Sequence, residues 1–166
     1  MEGFEQISLK IREELKIQTR VLELLGLSDM GQLRDKYEGE RYYQSFRRKV
    51  MGLLALEEFL KIAFLNINAV NKEFTPIIKI KSIEIEVITT EFGELPLLDK
   101  NPRKPVILIY LISPRRLIIC GFVSIEAIRK NLESIQASSS NRGKAVFNGF
   151  SEIQQFKSLQ ELEQLI

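Results

Sequence analysis

The stretch SIEIEVITTEFGELPLL, from Ser82 to Leu98, carries four glutamates, Glu84, Glu86, Glu91 and Glu94. Its first half alternates apolar and polar residues, which is typical of a β-strand. Because successive side chains of a strand point to opposite faces, Glu84 and Glu86 should share one face and the isoleucines between them the other. Two roles stay open for these carboxylates. They hold a metal ion, or they face water on one side of a sheet.

Glu57 is a further acid at an unusual position. Apolar residues recur at helical spacing from Phe46 to Phe64, and Glu57 interrupts this stripe. An ionised carboxylate on a buried helix face is costly unless it is paired or bound to a metal. Glu57 is therefore a candidate metal ligand. The alternative is a slight rotation of the helix that lets Glu57 pair with a lysine at the boundary of the core.

The residue inventory limits the chemistry. The chain has no histidine and one cysteine, Cys120. An intramolecular disulfide and catalysis by Ser-His-Asp or Cys-His groups are excluded, which leaves carboxylates, lysines and hydroxyls. Cys120 lies in an apolar run, so we expect an inert core residue.

Basic residues concentrate in a few short segments. The net charge is only +2, so attraction to a polyanion has to come from local clusters. Lysine and arginine side chains that neutralise phosphates are the usual source of DNA affinity. The candidate DNA-contacting residues are Arg47, Arg48, Lys49, Lys100, Arg103, Lys104, Arg142 and Lys144. The alternative is that these segments are solvated faces of a helix and of loops.

Helical patterns dominate the first part of the chain. Residues 4–25 place apolar side chains at three- and four-residue spacing, which predicts an amphipathic helix that Gly26 closes. Residues 38–65 contain good helix formers and no proline, which predicts a second, longer helix.

Strand patterns begin after Phe74. FTPIIKIK and SIEIEVITT alternate apolar and polar residues, whereas PVILIYLIS and RLIICGFVS are continuous runs typical of central strands, joined by a tight turn at SPRR. We expect strands 83–90, 105–112 and 116–123 to be neighbours in one sheet. SIEAIRKNLESIQ then predicts a helix capped by Ser124, ASSSNRGK a loop, AVFNGF a short strand, and a capping box at Ser158 the last helix.

The order of these elements predicts an α/β (α+β) domain with a mixed central sheet of about four to five strands flanked by helices. We expect one domain over residues 1–166, with residues 1–33 as an N-terminal helical extension and residues 38–166 as the core. The chain begins without a basic-then-apolar leader, and its apolar runs are too short to cross a bilayer. We therefore expect a cytoplasmic protein with no membrane partner.

Several phrases in this order resemble the restriction-endonuclease-like PD-(D/E)xK nuclease superfamily. They are LLALEEFL, IEVITTEFGELPLL, KPVILIYLI, RLIICGFVSIEAI and the terminal GFSEIQQFKSLQELEQLI, within residues 38–166. The resemblance implies that Glu57 matches a helical glutamate and that Glu86 matches the acid of an acid-x-lysine motif. It further implies catalytic candidates Glu57, Glu84 and Glu86, with Glu57 and Glu86 holding a divalent cation such as Mg²⁺.

The sequence departs from that motif at two positions. Ile88 stands where the lysine of acid-x-lysine should be, and Ile77 follows Pro76 where an aspartate is expected. The resemblance therefore implies a nuclease fold whose site is degenerate. A lysine from elsewhere, such as Lys79, Lys81 or Lys100, would be needed to complete an active one.

Three hypotheses follow. The first is a catalytically degenerate nuclease-fold domain, without a cofactor, that binds DNA or a partner protein. The second is an active Mg²⁺-dependent nuclease with a displaced lysine. The third is a structural or regulatory protein that forms a homodimer through its N-terminal helix, whose apolar stripe packs either on its own domain or on a second copy.

Overall fold

The structure is a computed structural model that describes residues 3–133 and 142–166. Its strands are β1 (Glu5–Ser8), β2 (Ile77–Ile80), β3 (Ile83–Glu91), β4 (Leu97–Asp99), β5 (Val106–Ser113), β6 (Arg116–Val123), β7 (Leu132–Glu133) and β8 (Lys144–Phe147). Its α-helices are α1 (Ile11–Leu25), α2 (Met30–Asp35), α3 (Gly39–Leu60), α4 (Ile125–Lys130) and α5 (Leu159–Leu165).

A five-stranded mixed sheet forms the centre, in the order β1-β6-β5-β3-β2. β3 and β5 are parallel, and the other neighbours are antiparallel. The expected α/β class with a mixed sheet and flanking helices is confirmed. Also confirmed is the prediction that strands 83–90, 105–112 and 116–123 are neighbours, and the SPRR turn does join an antiparallel pair.

The N-terminal segment differs from its prediction. Residues 4–25 were expected to be one helix, but Glu5–Ser8 pair with β6, and α1 begins only at Ile11. The segment is held there because Leu9 N donates to the carbonyl of Arg115 at 2.8 Å. Residues 1–33 thus contribute an edge strand to the central sheet as well as a helix. The predicted closure at Gly26 is confirmed by its left-handed backbone, with φ of 65°.

Two other helices differ in their limits. α2 was not predicted; its N-cap is Asp29, whose Oδ1 accepts from Gln32 N at 2.9 Å. α3 ends at Leu60 rather than near residue 65, because Lys61 turns to a left-handed conformation with φ of 57°.

The C-terminal part follows its prediction with one correction. Ser124 caps α4 as expected, but the helix ends at Lys130 and Leu132 already belongs to β7, so the helix expected through SIEAIRKNLESIQ is too long. The strand at AVFNGF is confirmed as β8. The predicted N-cap at Ser158 is confirmed, because its Oγ accepts from Glu161 N, whereas the Glu161 carboxylate accepts from Lys157 N and not from Ser158 N as in a capping box. Most of the predicted loop ASSSNRGK, residues 137–141, lies outside the described residues.

The two faces of the central sheet bury different clusters. On one face Ile85 and Val87 of β3 share a core with α1, α2, α3 and α5. On the other face α4 and the small sheet of β4, β8 and β7 pack on β5 and β6. Helix α3 therefore covers the isoleucine side of β3. Its approach is close: a Cβ added at Gly52 would overlap the side chain of Thr89.

Candidate nucleic-acid interface

Glu57 has a structural partner. Its Oε1 accepts hydrogen bonds from the backbone N–H of Phe64, at 3.1 Å, and of Leu65, at 2.7 Å. These two amides follow the end of α3, and in the described structure neither donates to a backbone carbonyl. The carboxylate therefore caps the loop after the helix. This explains how an acid is accommodated in an otherwise apolar stripe.

Glu84 and Glu86 lie on the face of β3 opposite α3, because the helix packs on Ile85 and Val87. The structure therefore does not bring Glu57 to Glu84 and Glu86, and the expected metal pair of Glu57 and Glu86 is not formed. Within residues 3–133 and 142–166, no three His, Cys, Asp or Glu side chains are grouped closely enough to hold a metal ion.

The predicted basic residues on α3 contact the protein itself. Arg47 is 6% exposed. Its Nε lies 2.9 Å from Glu14 Oε1, and its Nη2 donates to the carbonyl of Pro114. Arg48 lies 3.9 Å from a carboxylate oxygen of Glu94. Arg47 was predicted to contact DNA, but its guanidinium is buried and joins α1, α3 and the β5–β6 turn.

Lys49 is half-buried and faces the edge of the sheet. Its Nζ donates to the carbonyl of Phe74 at 3.2 Å and lies 5.7 Å from the centroid of the Phe74 ring. Burial lowers the pKa of Lys49, and the charge of Glu86 acts against that shift. Lys49 therefore contributes positive potential near Glu86 without projecting freely from the surface.

The basic residues of the two loops do come together. β4 and β8 are antiparallel, with Asp99 opposite Lys144, and Lys100 N donates to the carbonyl of Gly143 at 2.9 Å. This pairing joins two segments that are about forty residues apart in the sequence. We call the resulting surface the basic face; it consists of Lys100, Arg103, Lys104, Arg129, Arg142 and Lys144.

Arg129 belongs to this face although the sequence analysis did not select it. It lies in the last turn of α4 and is exposed. Its Nη2 is 3.5 Å from the carbonyl oxygen of Pro102 in the KNPRK loop. A basic pair at the end of a helix is a common surface feature that offsets the helix dipole. Arg129 differs from an ordinary basic residue at a helix end only because it lies beside the KNPRK loop.

Two acids neutralise part of the basic face. Lys144 Nζ lies 2.7 Å from Asp99 Oδ1, and Lys104 Nζ lies 3.6 Å from Glu84 Oε2. Lys100, Arg103, Arg129 and Arg142 are exposed and have no carboxylate within ion-pair distance in the described part of the chain. These four side chains are therefore available to an external anion.

A small cleft opens beside the basic face, and we call it the Glu86 cleft. Its volume is about 190 Å³. Leu98, Val106 and Ile128 give it an apolar floor, and Glu86, Asp99, Asn101, Arg103 and Lys104 line its polar part. Asp99 and Asn101 carry no signal in the sequence, because their approach to Glu86 depends on how the loop 100–105 returns to β5.

Burial and neighbouring charges act in opposite directions on Glu86. Burial raises the pKa of its carboxyl group, and the carboxylate of Asp99 adds to this. Lys144 lowers the pKa of Glu86 by more than Asp99 raises it, and Lys104 and Lys49 lower it further, but burial is the largest single influence. In the described residues no donor lies within hydrogen-bonding or ion-pair distance of the Glu86 carboxylate. Glu86 is thus a partly dehydrated acceptor inside a positive surface.

Three other features bear on the remaining expectations. Cys120 is buried, and burial raises its pKa to about 12, so the thiol is unreactive as expected. Helix α1 packs on its own domain through Ile17 and Val21, while Ile11 and Leu15 stay exposed. Within the described ranges, no helix is long and apolar enough to cross a membrane.

Comparison with protein-family models, with curated proteins and with solved structures finds no match to this chain.

Proposed function

We propose that this chain is a nuclease-fold domain with a degenerate site, and that it binds DNA through the basic face. The observation that carries the proposal is the β4–β8 pairing, which joins the loop KNPRK to the segment RGK. Two separate basic segments need not meet in a fold. Here they form one surface, and four of its cations have no carboxylate partner among the described residues.

Phosphate contacts are the binding mode that this surface supports. Exposed lysine and arginine side chains neutralise phosphates and release counterions, and this term does not depend on base sequence. With a net charge of only +2, the attraction in this proposal has to come from this local surface rather than from the whole chain. We therefore expect modest affinity that falls steeply as salt is raised.

The arrangement of the acids favours binding over cleavage. A metal-dependent nuclease needs carboxylates that converge on the cation. Glu57 instead accepts two backbone N–H groups on the opposite face of the sheet from Glu86, and Ile88 occupies the position where the resemblance implies a lysine. We expect DNA binding without Mg²⁺ and no cleavage when Mg²⁺ is added.

The test is a fluorescence-anisotropy titration of a labelled DNA duplex at 50 mM salt. The variant replaces three exposed cations of the basic face, Lys100, Arg103 and Arg142, with alanine. Exposed charge contacts contribute about 0.7 kcal/mol each, so the triple variant should lose about 2 kcal/mol and bind about thirtyfold more weakly.

The control is a second triple alanine variant with the same loss of charge elsewhere, at Lys10, Arg34 and Lys36. These residues are exposed on or beside α1 and α2, on the side of the sheet away from β4 and β8. The control should bind like the parent. Equal losses in both variants, or no complex with the parent at all, would contradict the proposal.

A further inference from the structure

A carboxylate at the centre of a phosphate-binding surface needs a reason. Glu86 lies in the cleft beside Arg103 and Lys104, and its negative charge repels the phosphates that the basic face attracts. Its neighbour Lys144 is engaged with Asp99 at 2.7 Å, and Lys104 with Glu84 at 3.6 Å. Both lysines are therefore committed to other acids, and Glu86 remains without a hydrogen-bond donor in the described part of the protein.

Nucleic acids contain few groups that could satisfy Glu86. Phosphate and ether oxygens only accept hydrogen bonds, so they offer nothing to an ionised carboxylate. The bases carry donors, and the amino group of cytosine is the one that glutamate and aspartate accept from in protein–DNA contacts. In a duplex that base is stacked and paired, so it cannot enter an enclosed cavity unless it leaves the stack.

The size of the cleft suits a single small group of this kind. A volume of about 190 Å³ is too small for a strand with its backbone. Leu98, Val106 and Ile128 close its inner end with apolar side chains that are at most 3% exposed, so the inner end of the cleft is screened from water. The polar wall carries acceptors at Glu86 and at the side-chain amide of Asn101, and the cations of the basic face begin at its rim.

We propose that the Glu86 cleft takes one unpaired nucleobase, whose amino group donates to the Glu86 carboxylate, while the basic face holds the flanking phosphates. This inference rests on the proposed function and adds a preference to it. The protein should favour single strands that contain cytosine over single strands of thymine, because thymine has no amino group. Phosphate contacts alone give no such preference.

The test compares dissociation constants for labelled dC12 and dT12 at pH 7.5 and 50 mM salt. The parent should bind dC12 about fivefold more tightly than dT12, because one hydrogen bond to a charged acceptor is gained. In Glu86→Gln the ratio should fall to about one, because the amide also offers a competing donor. Binding of dT12 by this variant should be equal to or tighter than that of the parent, since a repulsive charge is removed.

Glu84→Gln is the matched control. Glu84 lies on the same strand and the same face, is exposed, and does not line the cleft. Its substitution removes the same charge and also frees Lys104 for a phosphate, so dT12 binding should be at least as tight as in Glu86→Gln, while the preference for dC12 stays because the Glu86 carboxylate is kept. Loss of the preference in both variants, or equal affinity of the parent for dC12 and dT12, would overturn the cleft assignment and leave the basic face intact. No salt-dependent binding of any DNA would overturn both proposals.

Discussion

Replacing Glu57 by alanine removes the oxygen that accepts from the amides of Phe64 and Leu65. Both amides are left without their present acceptor, and the chain after α3 loses the contact that fixes its direction. The cap therefore predicts that Glu57→Ala is less stable than the parent. If Glu57 belonged to a crowded metal site, the variant would be more stable than the parent in the absence of metal, because removing one of several like charges relieves repulsion.

The magnitude follows from the two hydrogen bonds. A bond to a charged group contributes about 1.5–3 kcal/mol, and water recovers part of the loss at a half-buried site, so we expect a net loss of about 2 kcal/mol. For a chain of this length, 1 kcal/mol shifts Tm by about 2–4 °C, which gives a decrease of about 4–8 °C. Glu57→Gln keeps an oxygen that can accept from both amides but lacks the charge, so it should lose about half as much.

The assay is a thermal melt in EDTA, repeated with added Mg²⁺. Glu58→Gln is the control, because this neighbouring glutamate is exposed and pairs only with Lys61, at 3.2 Å in the described structure. Its Tm should stay within about 1 °C of the parent, since exposed pairs contribute little. A higher Tm for Glu57→Gln than for the parent, together with a Mg²⁺-dependent increase that the variant lacks, would refute the capping role.

Three further predictions concern stability. Gly52→Ala should lower the free energy of unfolding by about 1–3 kcal/mol in a denaturant titration, because the new methyl group overlaps Thr89. Adding Thr89→Ala should restore most of this loss. An equal loss in the double variant would contradict the contact. Arg47→Met should lower the free energy of unfolding by about 3 kcal/mol, since Glu14 loses its partner. An unchanged free energy of unfolding would mean that the pair does not stabilise the fold. Glu86 has a raised pKa in the folded state, so the folded protein binds more protons than the unfolded chain just above pH 4.5, and stability falls as pH rises through that window. Glu86→Gln should therefore be more stable than the parent at pH 7 but not at pH 4, and equal melts at both pH values would contradict the burial of this carboxyl.

The sequence predicted the parts of the fold that depend on local patterns. Alternation identified β3, and a proline in a short polar break between apolar runs identified the β5–β6 turn. β1 was missed because apolar residues at helical spacing begin at Phe4, and nothing local reveals that Glu5–Ser8 meet β6 more than a hundred residues later. Pairing between distant segments is set by the packed core, which a local pattern does not encode.

The candidate site was predictable to a similar degree. The loop KNPRK and the segment RGK stood out by composition, but their contact depends on the β4–β8 pairing. Arg47 looked equally basic in the sequence, and only the fold brings it to Glu14, which lies 33 positions earlier. Glu57 was singled out because its position is unusual. In the sequence, a carboxylate that caps a backbone segment looks the same as one that binds a metal, because both interrupt a helical stripe of apolar residues.

The slope of the logarithm of the DNA-binding constant against the logarithm of salt concentration tests the central claim most directly. Each neutralised phosphate contributes about −0.9 to this slope, so Lys100, Arg103, Arg129 and Arg142 together predict about −3.6 for the parent. Affinity should then fall about 150-fold between 50 and 200 mM salt. The triple variant without Lys100, Arg103 and Arg142 should show a slope of about −0.9, and the Lys10, Arg34 and Lys36 control should keep the parental value. A parental slope near zero, or an unchanged slope in the triple variant, would contradict binding through the basic face.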